Sequence, residues 1–170
     1  GKVYGIPFTQ EGYGFIYNAA ILNKAGINPD EITSYAKLEE AVKKLDAKKA
    51  ELGLEAVFAV AGKETWVTGL HFTNAALSPE FENVFNAFNA KKIDFKYSEG
   101  MKKLFDLQIN YAKKPVNSVD YSTQVEKLFS LGKVAFMQQG NWTLGAIKGI
   151  DEELAANIGF LPMPIVGAKE

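Results

Sequence analysis

The sequence contains neither cysteine nor arginine; all 19 of its basic residues are lysine. Without cysteine there is no disulfide, no thiolate nucleophile and no cysteine-ligated metal. Without arginine there is no planar, bidentate clamp for carboxylate or phosphate, so a neutral ligand fits better than an anionic one. Lysine and helix N-termini also bind anions, and a composition bias of the source genome is the competing explanation. His71 is the only histidine, which removes histidine metal clusters, and the lack of a catalytic serine motif and of cysteine removes triads. The formal net charge is −1, so no basic field is available to attract nucleic acid. No apolar run approaches the ~18 residues of a membrane span. The chain opens on Gly1-Lys2 with no initiator methionine and no signal sequence, which suggests a processed or excised piece.

What is present suits an ordinary folded domain. The 170 residues are 47% hydrophobic and 23% charged. A chain of this length forms one domain, here residues 1–170, burying roughly 70% of its unfolded surface. Val3 to Phe8 reads as a short strand with Pro7 at an edge, and Tyr13 to Asn18 as a second. A short helix over 19–25 stops at Gly26 and Pro29. Ser34 caps a helix with Leu38, Val42, Leu45 and Leu52 on one face, closed by Gly53. Residues 56–60 form a continuous apolar run, the mark of a buried strand.

A helix follows from Glu64 or Thr65 to Leu77, with Trp66 in its first turn; Pro79 begins another carrying Phe81, Phe85 and Phe88 at core-like spacing. Ser98 caps a helix with Met101, Leu104, Phe105 and Ile109 inside, and Ser122 starts one with Val125, Leu128, Phe129 and Leu131. Residues 134–137 are again a buried strand, Asn141 caps a final helix of about two turns, and 157–162 is a last strand. The alternation predicts a three-layer α/β/α domain around a mixed, mostly parallel sheet.

Three blocks then carry a resemblance. Residues 1–8 with Phe15-Ile16-Tyr17-Asn18 and Lys24-Ala25-Gly26-Ile27 form the first. The second is Phe129-Ser130-Leu131-Gly132-Lys133-Val134-Ala135-Phe136-Met137, followed by Gly140-Asn141-Trp142. The third is Gly159-Phe160-Leu161-Pro162-Met163-Pro164. In this order they resemble the second lobe of family 1 extracellular solute-binding proteins, the group that includes maltose-binding proteins. Thr33-Ser34-Tyr35 stands where that family often has Pro-x-Thr-Trp.

The resemblance implies a type II periplasmic-binding-protein lobe whose partner lobe is not part of this chain. It implies capture of a sugar or oligosaccharide in an interlobe cleft by hinge closure. It also implies an ABC importer's membrane subunits as partner, a monomeric state, and an extracellular or periplasmic location, with a lipoprotein anchor as one variant. No catalytic residue, cofactor or metal is implied.

A sugar site needs flat aromatic surface for ring C–H faces and amide, carboxylate or ammonium groups for hydroxyls. Trp142 is the leading candidate, since it follows the end of a buried strand and opens a helix, where α/β folds bind ligands. Asn141 beside it is a second candidate, with an N-cap role as the alternative. Trp66 has the same placement, with Lys63 and Glu64 in the turn before it. Gln10, Glu11 and Tyr13 complete the set, because the resemblance places their loop at the cleft. His71, in an apolar stretch, is expected to be structural.

Other functions find less support. Gly12-Tyr13-Gly14 lacks the third glycine of a dinucleotide fingerprint and leads into a strand. Glu11 and Glu64 are a conceivable glycosidase pair, but nothing fixes their separation. A non-sugar ligand such as a polyamine, organic acid or metal complex is the remaining alternative, because one fold hosts many ligands.

Overall fold

The computed structural model describes residues 2–168. Gly1, the first residue of the opening block, lies outside them, as do the last two residues.

The elements follow in chain order. Strand β1 is Tyr13–Asn18 and runs directly into helix α1, Ala19–Ala25. The Asn18 side chain accepts from the Ile21 amide to start α1, and Gly26 at φ 68° ends it. Helix α2, Tyr35–Ala47, is capped by Ser34 as predicted, and buries Leu38, Val42 and Leu45. It ends six residues before Gly53, so Leu52 packs on the core from a turn. Strand β2 is only Phe58–Ala59. A π-helical turn, Trp66–His71, continues into α3, Phe72–Phe81, with Pro79 inside it. Helices α4, Val84–Asn89, and α5, Ser98–Asn110, follow. A second π-helical segment, Thr123–Phe129, leads to β3, Phe136–Gly140. A 3-10 turn, Asn141–Thr143, opens α6, Leu144–Ile150, before α7, Glu152–Ala156, and β4, Ile158–Leu161.

The sheet order is β2-β3-β1-β4. β1 pairs antiparallel with β3, Tyr13 opposite Gly140, and antiparallel with β4, Asn18 opposite Ile158. Only β2 and β3 are parallel. The sheet is therefore mixed as expected but not mostly parallel. An apolar run reports burial on both faces of a strand; it carries no information on direction.

Both faces are covered, which gives the three layers. Phe15, Phe58 and Phe136 point to one side, beneath α1, α2, α5 and the buried Phe72 and Ala76 of α3. Their rings touch at centroid distances of 5.6 Å and 5.4 Å. Ile16, Ala59 and Met137 point to the other, beneath Val125, Leu128 and Phe129, with Ile147 of α6 and Leu154 of α7. Each of the fully buried phenylalanine, isoleucine and methionine side chains among these contributes about 1.5–3 kcal/mol over exposure.

Several expectations are corrected. Residues 3–8 form no strand: Val3, Tyr4, Ile6 and Phe8 stand exposed, because no described strand offers them a ladder. The phenylalanine stripe is not core. Glu82 at φ 64° breaks the helical phase, and Phe85 and Phe88 are 80% and 87% exposed. On α5 the buried stripe is Leu104 and Leu107, with Phe105 exposed, and Ser98 makes no side-chain cap. Ser122 likewise caps nothing; the Asp120 carboxylate accepts from the Thr123 amide instead. Leu131 is exposed. The helix of about two turns after Asn141 is there as α6 but is not the last: α7 follows, with Asp151 as its cap.

Candidate ligand-binding site

Three strands deliver aromatic side chains to one end of the sheet. β3 ends at Gly140, and the turn after it projects Trp142. β2 ends at Ala59, and the π-helical turn that follows carries Trp66 and His71. Because β1 is antiparallel to β3, its first residue, Tyr13, starts at that same end. This is the region beyond the carboxyl ends of the parallel pair, where α/β folds seat ligands.

The rings form a continuous cluster. His71 stacks on Tyr13 with centroids 4.2 Å apart and planes 11° apart. Trp66 meets His71 edge-on at 5.5 Å, and Trp142 lies 5.4 Å from His71. The two indoles are 6.1 Å apart, and Tyr121 closes the row at 6.1 Å from Trp66. All five side chains keep part of their surface in solvent. The cluster is an open shelf. A cavity of about 430 Å³ nearby, lined by Val60, Phe105, Ile109 and Val116, includes none of its rings.

The π-helical winding explains His71. Residues five apart lie about 140° from each other around an α-helix. Winding with i→i+5 bonds brings them toward one side, and so His71 joins Trp66. An α-helical winding would send His71 away from Trp66; the sequence expectation of a structural His71 rested on its apolar neighbours. Tyr121 was missed because it precedes a helix that leads into a strand, the reverse of the pattern that marked both tryptophans.

Hydrogen bonds fix the rings from behind. Glu64 accepts from Trp66 Nε1 at 2.9 Å through one carboxylate oxygen and from the Tyr121 amide at 3.0 Å through the other. Trp142 Nε1 donates to Gln139 Oε1 at 3.1 Å; Gln139 donates to Gln124 Oε1 at 2.8 Å; Gln124 donates to the Ala59 carbonyl at 2.8 Å. Gln138 donates to the Val67 carbonyl at 2.8 Å, tying β3 to the π-helical turn. The three glutamines are buried, so each lost partner leaves a group costing about 1–3 kcal/mol.

The remaining sequence candidates form the rim. Asn141 is a clamp and not an N-cap: its Oδ1 accepts from the Gly12 amide at 3.1 Å and its Nδ2 donates to the Gln10 carbonyl at 3.2 Å. The loop from Gln10 to Gly12 is thereby pinned beside Trp142, with Gln10 and Glu11 exposed. Lys63 is exposed, and its charge helps to hold the Asp120 carboxyl below its usual range, after the larger effect of hydrogen bonds from Thr123. Burial holds the His71 imidazole below its ordinary range, with the Glu11 charge acting the other way. Burial raises the Tyr121 phenol, and Glu126 adds to it. Among the described residues no group of three or more carboxylate or histidine side chains is placed to hold a metal.

Residues 1–169 match the family model described as bacterial extracellular solute-binding protein. No curated protein sequence matches the chain. Among solved structures, the apo form of RafE from Streptococcus pneumoniae aligns with a TM-score of 0.69 at 23% identity, over 93% of this chain and 40% of that one. A manno-oligosaccharide specific solute binding protein from Bifidobacterium animalis subsp. lactis, in complex with mannotriose, aligns at 0.66 and 23% identity, over 92% and 38%. A sugar transporter from Bacillus licheniformis in complex with stachyose aligns at 0.66 and 20%, over 99% and 44%. These likenesses establish the fold, and the chain spans well under half the length of each.

Proposed function

Because the chain belongs to the bacterial extracellular solute-binding protein family, we propose that it is the second lobe of a two-lobed sugar receptor serving an ABC importer. The observation that carries this reading is the aromatic shelf of Tyr13, Trp66, His71, Trp142 and Tyr121 at the end of the sheet. Partly exposed flat rings suit the C–H faces of a sugar ring, and the rim groups of Gln10, Glu11 and Lys63 suit its hydroxyls. RafE has been solved with raffinose, and other relatives hold mannotriose and stachyose; a sugar or oligosaccharide is the corresponding ligand here.

The first lobe supplies the opposite wall. It also covers the exposed Val3, Tyr4, Ile6 and Phe8. Closure about the hinge removes water and strengthens each polar contact with the ligand. The closed, monomeric form then docks on the importer's membrane subunits, outside the cytoplasmic membrane, with the sugar chemically unchanged.

The test is calorimetry on the intact two-lobed protein with raffinose, stachyose and mannotriose, and with an amino acid and a peptide as controls. A sugar should bind, and Trp142→Ala should weaken it by about 1–3 kcal/mol, the value of one buried aromatic contact. Binding of the controls alone, or an unchanged affinity in the variant, would overturn the reading.

A further inference from the structure

The polar capacity of the shelf is unevenly spent. Both indole N–H groups are used inside the protein, by Glu64 and Gln139. Among the described residues, neither nitrogen of His71 has a hydrogen-bond partner, although the ring sits in the middle of the cluster, one face on Tyr13 and its surroundings set by both tryptophans. The ring is only partly buried, so a ligand lying on the shelf can reach it.

We propose that His71 is a direct ligand contact, and that it accepts the ligand only as the neutral imidazole, so that sugar capture is linked to proton release. The proposal rests on the sugar-binding reading above. A neutral imidazole offers one donor and one acceptor, which matches neighbouring sugar hydroxyls; an imidazolium offers two donors and no acceptor. A ligand lying over the shelf also strips water from the ring, and loss of water disfavours the charged form.

The groups around His71 set the direction. Glu11, from the loop before β1, favours the cation. The face of the Tyr13 ring does so too, by attraction of a positive charge to a π-surface. Tyr13 and Tyr121 bring phenols, and Glu64 lies behind Trp66, committed to Trp66 and Tyr121. The Asn141–Thr143 turn brings only the neutral Trp142 against the ring, and α3 carries no charge before Glu80. Burial already outweighs Glu11 in the unliganded shelf. A bound ligand adds to burial and brings no new charge, so it moves the balance further toward the neutral ring.

The imidazole resonances that His71→Gln removes from the NMR spectrum of the intact protein identify those of His71 for a titration. The experiment measures sugar affinity of the intact protein at pH 7.5 and 5.0, in wild type and in His71→Gln, with raffinose, stachyose and mannotriose as probes. In wild type the Kd should rise by up to about tenfold for each pH unit below the free protein's His71 midpoint, as proton linkage requires. That midpoint should move lower in the presence of saturating sugar, and His71→Gln should bind with a flat pH profile over the same range. A wild-type Kd that does not change, a midpoint indifferent to sugar, or an equal pH dependence in His71→Gln overturns this inference and leaves the sugar receptor intact. No binding of any probe at either pH overturns both.

Discussion

The indole of Trp142 lies folded back over Gly140, two residues before it, so closely that any Cβ at position 140 would collide with the six-membered part of the ring. Gly140 is not in a left-handed conformation; its φ is −117°. The glycine serves a close approach and not a turn. Its small size lets the ring lie flat across the strand end, where Nε1 reaches Gln139. In Gly140→Ala the ring must lift, and that bond must break. The expected outcome is a loss of about 1–3 kcal/mol in stability from overpacking, with weaker sugar binding, measured by urea unfolding and calorimetry on the same preparation.

Glu64 was expected from sequence to meet a sugar hydroxyl, yet both of its carboxylate oxygens already bind protein N–H groups. Its work is to hold Trp66 and the start of the following segment at Tyr121. Glu64→Ala leaves both donors without their partner, so the fold should lose about 1–3 kcal/mol. Tryptophan fluorescence should show Trp66 becoming more mobile and more hydrated. A variant with unchanged unfolding and emission would remove Glu64 from this role.

The position of His71 also makes stability depend on pH. Its folded pKa lies below the unfolded value, because burial penalises the charged ring more than Glu11 favours it. Between those two values the unfolded chain binds more protons than the folded one, so stability rises with pH there. The contribution is therefore complete above the ordinary histidine value of about 6.5, and it is lost as pH falls through the folded value. Unfolding midpoints in urea at pH 7.5, 6.5 and 5.5 should fall in that order for wild type. His71→Gln should show a smaller decline, because the contribution of this imidazole is gone.

The parts of the molecule set by local chemistry were readable in the sequence. Ser34 and Gly26 mark helix ends where the structure has them, because a cap or a left-handed residue acts within a few positions. The apolar runs at 56–60 and 134–137 were legible as buried, and β2 and the start of β3 lie within them. Strand direction was not, since it depends on which neighbour a strand meets. In the site, both tryptophans could be placed from their positions after strand ends, and Tyr13 from the family resemblance of its loop. His71 could not, because the π-helical register depends on tertiary packing that no residue spacing announces. Asn141 was read as a cap, whereas its partners lie some 130 residues away in sequence.

The phenylalanines separate the two kinds of reading most sharply. Phe58 and Phe85 look alike in a hydropathy plot, but Phe58 is fully buried between Phe15 and Phe136 while Phe85 is 80% exposed. Removing the Phe58 ring should leave a cavity at the centre of the core and cost about 3–5 kcal/mol. The double change Phe85→Ser and Phe88→Ser removes two rings whose surface is already in water. It should leave unfolding free energy within about 0.5 kcal/mol of wild type, the ordinary range for surface positions. Both variants are compared by urea denaturation of the intact protein. A large loss in the double variant would mean that α4 is covered, by the first lobe or by a second copy; a concentration-dependent midpoint in wild type would single out the second copy, because only self-association couples stability to protein concentration.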